Sequence, residues 1–154
     1  MRPEGLPTVV FVLQFASTFY MVGLVWFVQR VHYPLFADVG SQQFPAYESA
    51  HVLRTNPVVG PAMLIEAATA LGMVALPMPN VPHLLPWLGV GLLAVIWLST
   101  WLLQVPRHRE LSAGFDASSH RRLVATNWIR TSAWSLRGLL VLWIFSCIWV
   151  GSPT

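Results

Sequence analysis

The sequence predicts an all-α integral membrane protein: an up-down-up-down four-helix bundle, with a short extra or extended helix between spans 1 and 2. Three observations lead there. Of the 154 residues, 55% are hydrophobic and only 10% charged, against about 25% charged in an ordinary soluble domain. Mean hydropathy is +0.59. Four apolar stretches each approach the roughly 20 residues that a helix needs to cross hydrocarbon. Residues 1–154 are read as a single transmembrane domain.

Span 1 covers about residues 8–29 and is closed by Arg30, His32 and Pro34. Arg2 before an apolar run resembles a signal peptide. That run is too long for an h-region and no small-x-small site comes after it, so it reads as a retained span. Span 2, about residues 57–76, has Asn56 as a natural N-cap and Pro57 at its first helical position. Before it, "FPAYESAHVLR" reads as a helix begun at Pro45. It is either an interfacial helix or an extension of span 2 kinked at Pro57 or Pro61. The proline-rich "PMPNVPHLLP", residues 77–86, makes a tight hairpin into span 3, about 85–105, which stops at Pro106. Span 4 begins near Ser118 or Ser119 and covers about 120–150.

Charge sets the expected orientation. The 1–2 and 3–4 connections carry Arg30, Arg54, Arg107, Arg109, Arg121 and Arg122, whereas the opposite side has only Arg2. The positive-inside rule puts both termini outside and the two charged connections in the cytoplasm, in a bacterial inner membrane. The arginines form no run interleaved with exposed aromatics, which excludes nucleic acid as a partner. Membrane lipid is the expected surrounding. Cys147 is the sole cysteine and sits in an apolar run, where it packs as a small hydrophobe.

Chemistry concentrates on the charged side. His32, His51, His108 and His120 fall there, with Asp38, Glu48, Glu110 and Asp116. Imidazoles and carboxylates are ligands for iron, copper or zinc. His83 and His120 read most simply as solvated loop residues. His32, Glu48, His51 and His108 come from three different helix ends and form the expected metal set. Glu48-x-x-His51 places both groups on one helical face, as in carboxylate-bridged metal bundles. Such bundles use two Glu-x-x-His motifs and two further Glu, so a mononuclear or irregular dinuclear site is expected here. Iron is the first expectation, with copper or zinc next and a bis-histidine haem as a variant.

Glu66 is a different kind of residue, about 14 Å into span 2 at 1.5 Å per residue. A carboxylate at that depth is a functional candidate once its partner is named. Span 4 offers one, because Asn127, Arg130 and Arg137 share a face. Arg137 lies deep enough to need Glu66, while Arg130 reaches the Glu48/His51 level or an anionic head group. The plain alternative is a carboxyl hydrogen-bonded to a neighbouring helix. Trp26, Trp87 and Trp128 match an interfacial belt, and Trp97, Trp101, Trp134 and Trp143 read as packing or lipid-facing groups.

The blocks "HYPLF", "FPAYESAH", "PAMLIEAATAL", "VPRHREL" and "NWIRTSAWSLRG" resemble those of an uncharacterised bacterial family of four-span membrane proteins. That family is similar in size and span count to anthrone-oxygenase-like membrane proteins. The resemblance implies an oxidative chemistry and carries no catalytic assignment.

Together these readings lead to an expected membrane metalloprotein, an oxidoreductase or oxygenase for a lipid-soluble, quinone-like or phenolic substrate. His32, Glu48, His51 and His108 would hold the metal. Glu66 would add a ligand or transfer protons, Arg137 and Arg130 would balance charge, and Asn127 would support the ligands. Two competitors stand beside it. One is a small proton-coupled transporter switched by a Glu66–Arg137 pair. The other is an accessory subunit of a larger membrane complex, or a homo-oligomer, with the polar groups pinning an interface.

Overall fold

The computed structural model describes residues 5–150; Arg2, used in the orientation argument, lies outside them. Helix α1 is Leu6–Phe27, continued by a π turn Val28–His32 and a 3-10 turn Pro34–Asp38. Helix α2 is Phe44–Ala75 and α3 is Leu84–Ser99. A second π turn, Thr100–Gln104, leads into α4, Val105–Ser112, and α5 is Ala117–Val150. Among the described residues there is no strand. Four continuous helical stretches, Leu6–Asp38, Phe44–Ala75, Leu84–Ser112 and Ala117–Trp149, are each long and apolar enough to cross a membrane.

Packing closes the four stretches into a bundle in which α1 meets α2 and α5, and α3 meets α2 and α5. The surface is inverted relative to a soluble protein. Leu64, Leu71, Leu102, Leu139 and Trp149 are exposed, while Gln14, Thr18, Gln29, Glu66, Gln104, Asn127 and Arg137 are buried. Lipid solvates the first set, and the second must find partners inside the bundle. Gly72 lets α1 approach closely: a Cβ there would stand 3.0 Å from Val10 Cγ1.

Several expected boundaries move. The "FPAYESAHVLR" helix and span 2 are one helix of 32 residues, with Pro57 and Pro61 inside it. Span 3 does not stop at Pro106. The π turn ends at Gln104 and the helix runs on through Pro106, the second residue of α4. The hairpin after α2 uses Asn80 at φ 64°, a left-handed position that Asn tolerates.

Helix α5 starts earlier than expected because Asp116 caps it. The Asp116 carboxylate accepts from the Ser119 backbone N–H at 2.7 Å, and its carbonyl accepts from His120 N. These bonds, chiefly that from Ser119, hold the Asp116 carboxyl below its ordinary value. A carboxylate depressed in the fold stabilises above its unfolded pKa, and that contribution is lost as pH falls through the lowered value. Asp116→Ala should therefore speed amide exchange at residues 117–120 at neutral pH and leave acidic samples alike. Equal exchange in both proteins at pH 7 would show that Asp116 does not cap α5.

Candidate functional site

Two π turns aim the end of the bundle that carries the site. A π turn adds one residue to a helical turn, rotating the residues beyond it by about 100°. The first presents Gln29 inward and delivers His32 and Tyr33, and the second presents Gln104 and delivers His108. Polar rungs hold both in place. Asn127 Nδ2 donates to Gln29 Oε1 at 2.9 Å, Gln29 Nε2 donates to the Val124 carbonyl at 3.2 Å, and Gln104 Nε2 donates to Thr126 Oγ1 at 3.3 Å. Asn127, expected at the site, thus acts one layer away, between α1 and α5.

His32, Glu48, His51 and His108 do come together. His32 Nε2 lies 2.8 Å from His51 Nδ1, and the His51 and His108 rings stack with centroids 5.3 Å apart. Thr55 Oγ1 lies 3.1 Å from His51 Nδ1, one turn further along α2. His108 Nδ1 lies 2.5 Å from Glu48 Oε1, and His108 Nε2 lies 3.0 Å from the Tyr33 hydroxyl. Because the carboxylate can only accept, Nδ1–H donates to Glu48, and Nε2 is free to accept from Tyr33. The result is a phenol–imidazole–carboxylate chain.

The donor atoms pair with one another rather than converging. Among the described residues, no group of three or more His, Cys, Asp or Glu side chains is arranged to hold a metal ion. One acceptor is left over: Glu48 is fully buried, and its Oε2 has no hydrogen-bond partner.

Aromatic packing closes the site from beneath. Phe36 and Phe44 are fully buried with Leu111 and Leu123. Phe36 stands edge-on to both His32 and His51, at 5.2 Å from each centroid. His120, expected to be solvated, is buried, and its Nε2 donates to the Tyr33 carbonyl at 2.8 Å. It holds the backbone of the residue that ends the relay. His83 is exposed as expected.

On the other side the relay faces open space. A cavity of about 330 Å³ is bordered by Tyr33, His51, His108 and Arg130, with Val59, Met63 and Val105 as apolar wall. That lies at the lower end of ligand-pocket volumes. A second hollow of about 230 Å³ reaches His32 and His51 past Arg54 and Tyr47.

Glu66 and Arg137 form a separate centre. Arg137 Nε donates to Glu66 Oε1 at 2.9 Å, as does Thr18 Oγ1. Trp134 Nε1 donates to Glu66 Oε2 at 2.9 Å, and Arg137 Nη1 donates to the Gly89 carbonyl. Gln14 extends the network, donating to Thr18 and accepting from Thr69. Helices α1, α2, α3 and α5 therefore meet on one ion pair. Fifteen residues of continuous helix put Glu66 about 22 Å from His51, so it is not a further ligand at the histidine cluster.

Tyr33, Gln14, Gln29 and Gln104 are the residues that sequence reasoning missed. Each glutamine interrupts an apolar run, as Glu66 does, and that was a usable signal. Tyr33 gave none beyond its place next to His32. Compared with known protein families, with curated proteins and with solved structures, the chain matches none.

Proposed function

We propose that the protein is a membrane enzyme that moves a proton at an oxygen of a lipid-soluble, phenolic or quinone-like molecule held in the 330 Å³ cavity. The observation that carries this is the Tyr33–His108–Glu48 chain ending at the cavity wall. Tyr33 meets the substrate oxygen, and its hydroxyl gives or takes the proton. His108 exchanges that proton with Tyr33, and Glu48 holds the imidazole with Nε2 facing the phenol. Burial of Glu48 and the Phe36 layer keep bulk water from short-circuiting the transfer.

Incubating the purified chain with anthrone in nanodiscs in deuterated water tests this. Proton transfer at the carbonyl oxygen accompanies enolisation, in which the ring methylene gives up a C–H proton to solvent, so deuterium uptake at that carbon reports it by mass spectrometry. Uptake above empty nanodiscs, lost in Tyr33→Phe, is expected. A rate equal to empty nanodiscs would remove the enzyme reading.

A second reading has its own support in the unpartnered, buried Glu48 Oε2. In it His32, Glu48, His51 and His108 would hold a transition metal, iron first and copper or zinc next, which would supply redox chemistry as iron or copper and Lewis acidity as zinc. The present side-chain pairing does not fit a metal without rearrangement. Elemental analysis after gentle purification decides: about one equivalent, lost in His51→Ala, supports the centre. Less than about half an equivalent of any transition metal or haem ends it.

The orientation proposed is cytoplasmic for the histidine end, in a bacterial inner membrane, since Arg30, Arg54, Arg107, Arg109, Arg121 and Arg122 stand there. A C-terminal alkaline phosphatase fusion should be active. An inactive fusion, with a fluorescent C-terminal cytoplasmic reporter, reverses the assignment.

A further inference from the structure

Arg130 is the buried cation beside the relay, its guanidinium against the Tyr33 side chain. It is buried, with 9% of its surface exposed. Among the described residues no carboxylate pairs with it: Glu110 meets Arg107, Glu48 accepts from His108, and Glu66 meets Arg137. Its Nε has no hydrogen-bond partner. Its side-chain neighbour Tyr33 is a phenol and not a carboxylate. The guanidinium carbon stands 5.2 Å from the centroid of the Trp134 ring, which orients the group without neutralising it. Removing a cation from water without a counter-charge is costly. Arg137, a turn and more further along α5, meets that cost with Glu66. No described residue does the same for Arg130.

The counter-charge has a place to come from, because Arg130 borders the 330 Å³ cavity. Arg109, exposed at the rim, adds a second cation, and no acidic side chain is among the groups that border it. Val52, Val59, Met63 and Val105 supply apolar wall, interrupted by uncharged polar side chains such as Thr55 and Asn56. Cation and apolar wall in one cavity select an amphiphile with an acidic head. The small volume favours one chain or a compact ring skeleton over a two-chain lipid.

We infer that the cavity binds a lipophilic carboxylate, its head group on Arg130 and its apolar body along Val52, Val59 and Met63. The inference rests on the reading of this cavity as the substrate site, and it adds an acidic group to that lipid-soluble substrate, bound close to the Tyr33 hydroxyl. A carboxylate accepts charge-assisted hydrogen bonds from the guanidinium edge, which an alcohol of the same length cannot match.

Equilibrium binding of radiolabelled laurate to the chain in phosphatidylcholine nanodiscs tests this, with empty nanodiscs subtracted. One saturable site per chain is expected. Lauryl alcohol should fail to displace laurate at concentrations where unlabelled laurate does. Arg130→Gln should bind about ten- to hundredfold more weakly, the value of a charge-assisted hydrogen bond, and Arg130→Lys should fall between. Displacement by lauryl alcohol as effective as by laurate overturns the inference, as does native affinity in Arg130→Gln. Displacement by phosphatidylglycerol at equal potency also overturns it, assigning the site to a lipid head group. Should Arg130→Gln not fold, the acid–alcohol comparison on the native chain decides alone. Saturable laurate binding by the native chain without turnover of anthrone removes the relay and keeps the acid site, and turnover without laurate binding does the reverse.

Discussion

Replacing Glu66 by alanine is expected to destabilise the bundle by about 3–5 kcal/mol, since Arg137 is left buried without its counter-charge. Both residues are almost wholly enclosed, at 0% and 2% exposure. The loss also strands donors on Thr18 and Trp134. Removing both charges is a different experiment. A Glu66→Leu/Arg137→Leu double variant should recover most of the loss, because an apolar pair of similar volume avoids desolvating ions. Reversible unfolding in mixed micelles reads all three proteins. A single-variant loss below about 1 kcal/mol, the range of exposed pairs, would contradict the ion pair. A transporter switch at this position would have to release partners on four helices at once. A specificity role, fixing the register of α1, α2, α3 and α5, accords better with that saturation.

His108→Ala is expected to lower turnover of a cavity substrate by about 10²–10⁴-fold, the usual worth of a positioned acid–base group. Binding should change far less, because Arg130 and the apolar wall remain. Glu48→Gln keeps the shape of its side chain but weakens the acceptor for Nδ1–H, so a smaller drop in the same direction is expected. The split between kcat and KM is the useful readout. A rise in KM alone would make His108 a wall residue, and an unchanged rate would take it out of the chemistry.

Composition and hydropathy made the four-span bundle legible, and arginine placement suggested which end would gather the chemistry. The convergence of His32, Glu48, His51 and His108 was also legible, because three helix ends carried histidines to one level. The path of α2 through Pro57 and Pro61 is not legible in the sequence, since a proline constrains its own turn but tertiary packing decides whether a helix survives it. The π turns were not legible. They insert a residue without any sequence mark and rotate the residues beyond them. For that reason Tyr33, next to His32 in the chain, could not be placed against His108 by counting faces. The direction of the imidazoles was hidden for the same reason. Spacing put the donors near one another, and only side-chain geometry showed them paired into a relay.

The most direct measurement is the tautomer of His108, read by nitrogen NMR of histidine-labelled protein in nanodiscs and assigned with His108→Gln. The relay requires the proton on Nδ1 and a hydrogen-bonded, acceptor-type Nε2. Glu48→Gln should perturb the first nitrogen, and Tyr33→Phe the second. A proton on Nε2, or a spectrum indifferent to both substitutions, would contradict the Tyr33–His108–Glu48 relay.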